Sequence, residues 1–515
     1  MLHGEASLAW PTPVLLERGE AVSEAEDVGF RRMTLVWVAT VLALVVVLGT
    51  LGWLMRLTQG NWLTLRPEWF YSLMTLHGLG MFGTWYIATM AAVTYLLSRY
   101  VRPSLSASRF VYGLTLVAVS LFVIATLVGR FSPGWYFLYP LPFYSQGVWK
   151  PWATAVFFTF VGLLGVAWLI WEVSLLGAIA RRWSLPQALG WDVLFGRRSV
   201  SDVPLAVHIA TVMLVLHLSA LLSAVVLLSL YTLEGIGTGI RNDPLLMKNL
   251  VFYFGHVTAE VTTNLSFMVV LELLPRLAGR PPFRVNRMFA AAFNVILVLI
   301  AVTYLHHLLM DFAQPFWLRV LGQTASYLIP IPAAVVTIFI VLTLIYGSRI
   351  RWTLPAVLLY LGVMGVAIDG IGAAFISSTP ALQFLFHNTL VAVAHLHLGF
   401  VMGVVLINLG FVFQFVKELS RSEESSWTTW AIPVLLAIGG YGLVLMFSLA
   451  GVASVPRRYA IYPEELARGV TMARFAIVPL ALLTAGALLY LWELVRRWPH
   501  AWAASRLSSS EAASS

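Results

Sequence analysis

The chain has 515 residues, 60% of them hydrophobic and only 11% charged, and its mean hydropathy is +0.85. Those values lie far above what a water-soluble globule carries; they describe an all-α integral membrane protein and exclude a soluble enzyme, a nucleic-acid binder and a disordered chain. The net charge of +9 resides in short loops between apolar segments, so it reports topology and gives no reason to expect a nucleic-acid partner.

In chain order, residues 1–32 form a polar N-terminal tail whose acids, among them Glu17, Glu20 and Glu24, are too numerous for a signal peptide. Apolar stretches of roughly twenty residues or more then follow one another and predict twelve membrane spans. They cover 33–57, 69–98, 109–130, 151–180, 203–232, 246–274, 286–311, 318–347, 352–377, 383–416, 428–451 and 471–496. A single twelve-helix membrane domain is thus expected over 33–497, followed by a disordered Ser/Ala-rich tail over 498–515. Basic residues gather after even-numbered spans, as at Arg99, Arg102, Arg181, Arg182, Arg197, Arg198, Arg349 and Arg351. By the positive-inside rule that side faces the cytoplasm, which puts both termini inside and the protein in the cell inner (cytoplasmic) membrane. Arg457 and Arg458 break the pattern on the opposite side.

The chain has no cysteine. Disulfides, iron–sulfur clusters, thiolate-bound copper and covalent haem attachment are excluded, and any metal must be held by His, carboxylate or Met. Of eleven histidines, six map to the outer third of the bilayer: His77, His256, His306, His307, His395 and His397. Polar rings are costly there without a partner, so four distant stretches of chain meeting at one depth signal a site. Residues two apart on a helix point about 200° from one another, so His395 and His397 serve opposite flanks. Each suits a different cofactor, and neutral imidazole is an axial ligand for haem iron. His306 and His307, about 100° apart, can reach one metal together with His256. Glu260 follows His256 at i+4, and a carboxylate added to three imidazoles shifts the preference from copper or zinc towards iron(II). The alternative for Glu260 is a protonated buried carboxyl bonded to Thr263 or Asn264.

These segments resemble the catalytic subunit (subunit I) of the haem-copper oxygen reductase and nitric oxide reductase superfamily, over essentially all twelve spans. The run from Phe386-His387-Asn388-Thr389 to Ala394-His395-Leu396-His397 is similar to the family's helix-ten signature. The resemblance implies that His395 binds a high-spin haem, while His397 pairs with His77, in Thr75-Leu76-His77-Gly78, on a low-spin haem. Tyr304-Leu305-His306-His307 and Phe254-Gly255-His256 resemble the segments that hold the second metal. Val455-Pro456-Arg457-Arg458-Tyr459 resembles the arginine pair that binds haem propionates, and His387 matches a residue near them.

The departures from the family pattern narrow the reading. The commonest oxygen reductases carry His-Pro-Glu-Val-Tyr, whose tyrosine donates an electron and a proton during O–O cleavage; here the run is His256-Val257-Thr258-Ala259-Glu260. A glutamate at that place is the pattern of nitric oxide reductases, where it binds a non-haem iron. Their second glutamate, before a Pro-x-Pro, is replaced by Ile329, so the resemblance is to an atypical member. The lysine of one inner proton path is replaced by Val336, and the loop 98–109 has no Asp or Asn to open the other. Protons are therefore expected from outside, through Glu260 and groups such as Asp311 or Asp369, whereas Glu172 reads as a helix-packing acid.

The implied activity is reduction of two NO to N2O and water, with Glu260 relaying protons or ligating iron. The implied cofactors are two haems, expected to be b-type although ligands do not encode porphyrin substituents, and a non-haem iron, with copper as the alternative. The implied partners are NO, membrane lipid and an outer-face electron-donor subunit, cupredoxin-like or a cytochrome c. Two rivals stand beside this: a terminal oxygen reductase with copper at the second site, and a transporter whose histidines relay protons.

Overall fold

The computed structural model describes residues 24–506 apart from Arg197, Gly347 and Arg349. Glu17, Glu20 and the serines beyond Arg506 lie outside the described residues. Among those described, twelve helices are long and apolar enough to cross a membrane. They are α1 (Glu26–Gln59), α2 (Pro67–Leu97), α3 (Leu105–Val128), α4 (Pro151–Ala180), α5 (Leu205–Gly235) and α6 (Pro244–Leu277), then α7 (Arg287–Leu308), α8 (Phe316–Phe339), α9 (Leu354–Gly372), α10 (Val391–Ser420), α11 (Ser426–Val452) and α12 (Glu464–Ala504). A short antiparallel pair, β1 (Val200–Pro204) with β2 (Arg284–Asn286), links the loops that precede α5 and α7.

Local chemistry accounts for many helix starts. Pro67, Pro151 and Pro244 stand in the first turn of α2, α4 and α6, where the missing N–H costs nothing. Asp243 caps α6 by accepting the Leu246 N–H at 2.7 Å, and Asn286 caps α7 through the Phe289 N–H at 2.9 Å. Successive helices pack side by side, α1 on α2, α3 on α4, α5 on α6 and α11 on α12. Val46, Val47, Leu222, Val225 and Leu445 are exposed on the outside of the bundle, the surface that lipid tails would cover. The end at which even-numbered helices begin is called the upper end below.

Three boundaries differ from the sequence reading. The first helix already starts within the expected polar tail, and α12 continues to Ala504, past the expected end of the membrane domain at 497. The eighth span is broken at Ile329–Pro330, because proline cannot donate to the preceding turn. The last turn of α7, Tyr304–Leu308, is a 3-10 helix. There the angle between neighbouring side chains opens to about 120° in place of the 100° expected for His306 and His307.

Candidate metal centre

One cavity of about 1130 Å³ occupies the upper half of the bundle. It is lined by every site residue singled out from the sequence: His77, His256, Glu260, His306, His307, His387, His395, His397, Arg457 and Arg458. Four helices, α2, α6, α7 and α10, and two loops contribute these residues, which explains why the histidines are scattered along the chain.

Three imidazoles form its densest cluster. One ring nitrogen from each of His256, His306 and His307 lies within 4.8 Å of the others, a spacing that fits one ion. His256 Nδ1 is 3.2 Å from His307 Nε2, and the His306 and His307 ring centres are 4.2 Å apart despite the 3-10 turn. Outer partners orient the rings. His256 Nε2 lies 2.8 Å from Thr303 Oγ1, and His306 Nδ1 lies 3.1 Å from Ser326 Oγ. The Ser326 contact depends on close approach of α8, since a Cβ on Gly322 would fall 2.5 Å from that of Leu305. Among the described residues Glu260 does not join this cluster. A residue at i+4 sits about 6 Å along the axis, so its carboxylate occupies the cavity wall beside the three rings. Of the four ligands expected from the sequence, three thus stand within reach of one ion and the fourth lies in the adjoining wall. Thr263 and Asn264, the alternative partners for that carboxylate, instead bond the backbone carbonyls of Ala259 and Glu260, at 3.1 and 2.9 Å.

His77 and His397 are held alike. Each places Nδ1 2.8 Å from a backbone carbonyl, that of Leu48 and of Val393 respectively. Donation from Nδ1 fixes the tautomer and leaves Nε2 as the free donor atom, the arrangement of an axial metal ligand. His395 instead meets a carboxylate, Asp369 Oδ1, at 2.7 Å.

At the upper rim, Arg457 N–H donates to the Asn388 carbonyl at 3.0 Å and Leu390 N–H to that of Val455, also at 3.0 Å, which pins the arginine loop to the start of α10. Arg458 sits at φ +69° with its guanidinium 5.1 Å from the Tyr136 ring. A non-glycine residue in that region costs of order 1 kcal/mol or more and persists where the surroundings enforce it. Arg457 Nε is buried without a hydrogen-bond partner. Burial and the adjacent Arg457 lower the Arg458 pKa, and burial followed by Arg457 pushes His387 down to about 4. Two crowded guanidiniums with an orphaned N–H call for an anion, which haem propionates would supply. The donor atoms, the tautomers and this basic rim together fit two haems and a second metal.

Sequence reasoning missed a buried cluster beside the cavity. His217 Nδ1 lies 2.5 Å from Glu172 Oε1 and 3.1 Å from Tyr86 Oη, and His217 Nε2 lies 3.0 Å from Thr258 Oγ1. The His217 and Glu172 side chains have no solvent exposure. Glue between helices is part of the role of Glu172, as expected, but its partner histidine was not singled out. His208, bonded to the Ala188 carbonyl at 2.9 Å, is an ordinary core histidine.

A twelve-helix membrane bundle that collects these imidazoles around one cavity defines a membrane-bound metal oxidoreductase. The chain belongs to the cytochrome c and quinol oxidase polypeptide I family, whose pattern matches residues 32–489. Members of this family hold haems and a dinuclear centre containing copper or iron. The chain is 25% identical over 443 residues to the alternative cytochrome c oxidase subunit 1 of Bradyrhizobium diazoefficiens, covering 79% of this chain and 71% of that one. It is 24% identical over 417 residues to cytochrome c oxidase subunit 1 of a Synechocystis species, covering 78% and 71%. Against the probable cytochrome c oxidase subunit 1 of Bradyrhizobium the match, 26% over 253 residues, spans only 37% of the relative's length. In fold the chain is similar to a heme-copper terminal oxidase dimer solved by cryo-EM, with a TM-score of 0.69 at 17% identity over 91% of this chain and 84% of that one.

Proposed function

We propose that the chain is the catalytic subunit of an atypical respiratory nitric oxide reductase, which converts two NO to N2O and water. One observation carries this reading over an oxygen reductase. The position four residues after His256 is Glu260, and among the described residues the only tyrosines lining the cavity are Tyr136 and Tyr490. Tyr136 stacks beneath Arg458 at the rim, and Tyr490 donates to the Leu409 carbonyl at 2.7 Å. Tyr304, beside the metal-binding pair, points its hydroxyl to Asn249 at 3.3 Å. Among the described residues, no tyrosine of α6 or α7, the two helices that carry the three histidines, lines the cavity to donate a proton and an electron for O–O cleavage. The names of the relatives favour the second reading, a terminal oxygen reductase with copper at the three-histidine site.

His77 and His397 would hold the low-spin haem, His395 the high-spin haem, and His256, His306 and His307 the second metal, with Glu260 as a fourth ligand once its side chain turns towards the ion. When bound, these metals supply electrons and two adjacent sites that hold the reacting molecules together. Arg457, Arg458 and His387 would anchor the propionates and, with the apolar walls, would keep bulk water from the centre. Glu260 carries protons to the reacting oxygen from the cavity wall that it shares with His395 and Asp369. Lys248 and Asp311, paired at 2.7 Å in the same cavity wall, form the start of a proton route from the upper end, read here as the outer face. An electron-donor subunit, cupredoxin-like or a cytochrome c, docks there.

Membranes containing the protein test the substrate. Anaerobic NO consumption with stoichiometric N2O is expected to exceed O2 consumption under the same donor; rapid O2 reduction without NO turnover would establish the rival. Proteoliposomes test the proton route. Turnover is expected to leave the inner compartment nearly unchanged in pH, whereas clear inner proton uptake would redirect the path to Glu172, His217 and Thr258.

A further inference from the structure

The three histidines assigned to haem are not supported alike. His77 and His397 each bond a neutral backbone carbonyl, while His395 Nδ1 meets the side-chain carboxylate of Asp369 at 2.7 Å. That carboxylate is brought there by unusually close packing of α9 on α10. A Cβ on Gly365 would lie 2.1 Å from the Met402 carbonyl oxygen, so only glycine lets the two backbones approach so far. One turn after His395, a Cβ on Gly399 would lie 2.5 Å from Asp369 Oδ2. The missing side chain at Gly399 is the space in which the carboxylate sits. Immediately beyond, Phe400–Val405 is a π-helical segment, the kind of irregularity that accompanies functional sites within helices.

We propose that Asp369 is a positioning residue for the high-spin haem ligand. As an anionic acceptor it holds the His395 tautomer with Nε2 aimed into the cavity and makes that imidazole more electron-donating than either carbonyl-bound ligand of the low-spin haem. The high-spin haem is thereby biased towards its ferric form relative to the same haem on a carbonyl-bound histidine. The inference rests on His395 being a haem ligand and is independent of whether NO or O2 is the substrate.

The test uses the full-length purified protein with its haems. Asp369→Asn keeps the shape and removes the charge. The iron–histidine stretching band of the ferrous high-spin haem is expected to move to lower wavenumber, and its midpoint potential to rise. A tenfold gain in the ferrous-to-ferric ratio corresponds to about 59 mV for one electron. The low-spin haem serves as the internal control and is expected to keep its spectrum and potential. An unchanged band and midpoint with both haems present would overturn the proposal. Gly399→Ala, which crowds Oδ2 with the charge retained, is the second variant and is read if the first loses haem. A smaller shift in the same direction supports the proposal, and no shift contradicts it. If the unmodified protein shows no histidine-bound high-spin haem, the assignment of His395 itself fails.

Discussion

Glu260→Ala is expected to reduce NO turnover by at least about a hundredfold, the size of effect that removal of a positioned proton carrier produces. The low-spin haem spectrum should survive, because His77 and His397 are fixed by the Leu48 and Val393 carbonyls, away from α6. The two roles proposed for the side chain separate in metal content. If Glu260 completes the ligand set, iron beyond the haems is lost together with activity; if it only carries protons, the three imidazoles retain the ion while turnover falls. Glu260→Gln, which keeps the volume and loses the negative charge, should resemble the alanine variant in activity. Full NO turnover in either variant would refute the assignment.

Replacing the individual axial ligands gives the second large effect. His397→Ala or His77→Ala is expected to remove or convert the low-spin haem alone, with loss of nearly all turnover driven by an external donor. His395→Ala should instead remove the ligand of the high-spin haem and abolish ligand-induced spectral changes, leaving the low-spin bands in place. The selectivity follows from residues two apart pointing to opposite flanks of α10. Optical spectra of the three variants check it. Loss of the same bands in all three would contradict the assignment of two separate haems.

Much of this was legible because membrane spans are written in long apolar runs and because histidine is expensive within them. The six rings named from the sequence do line one cavity, and alternation of the spans already set them at one end. Other features depend on contacts that no local pattern encodes. The pairing of Asp369 with His395 follows from backbone approach at Gly365 and Gly399, which a single sequence does not announce. His217 finds Glu172 across 45 positions, and each alone reads as an isolated polar residue. The 3-10 turn at His306 and His307 and the break at Pro330 alter the local angles within spans that the hydropathy pattern draws as continuous helices. The carboxylate of Glu260 shows the limit of i+4 spacing. It predicts the face but not the side-chain torsion, and the difference separates the wall of the cavity from the metal position.

Metal and haem content of the purified protein tests the central claim most directly. Elemental analysis beside a pyridine haemochrome assay is expected to give two haems and one further iron per chain, with no copper. One copper per chain in place of that iron would contradict the nitric oxide reductase account.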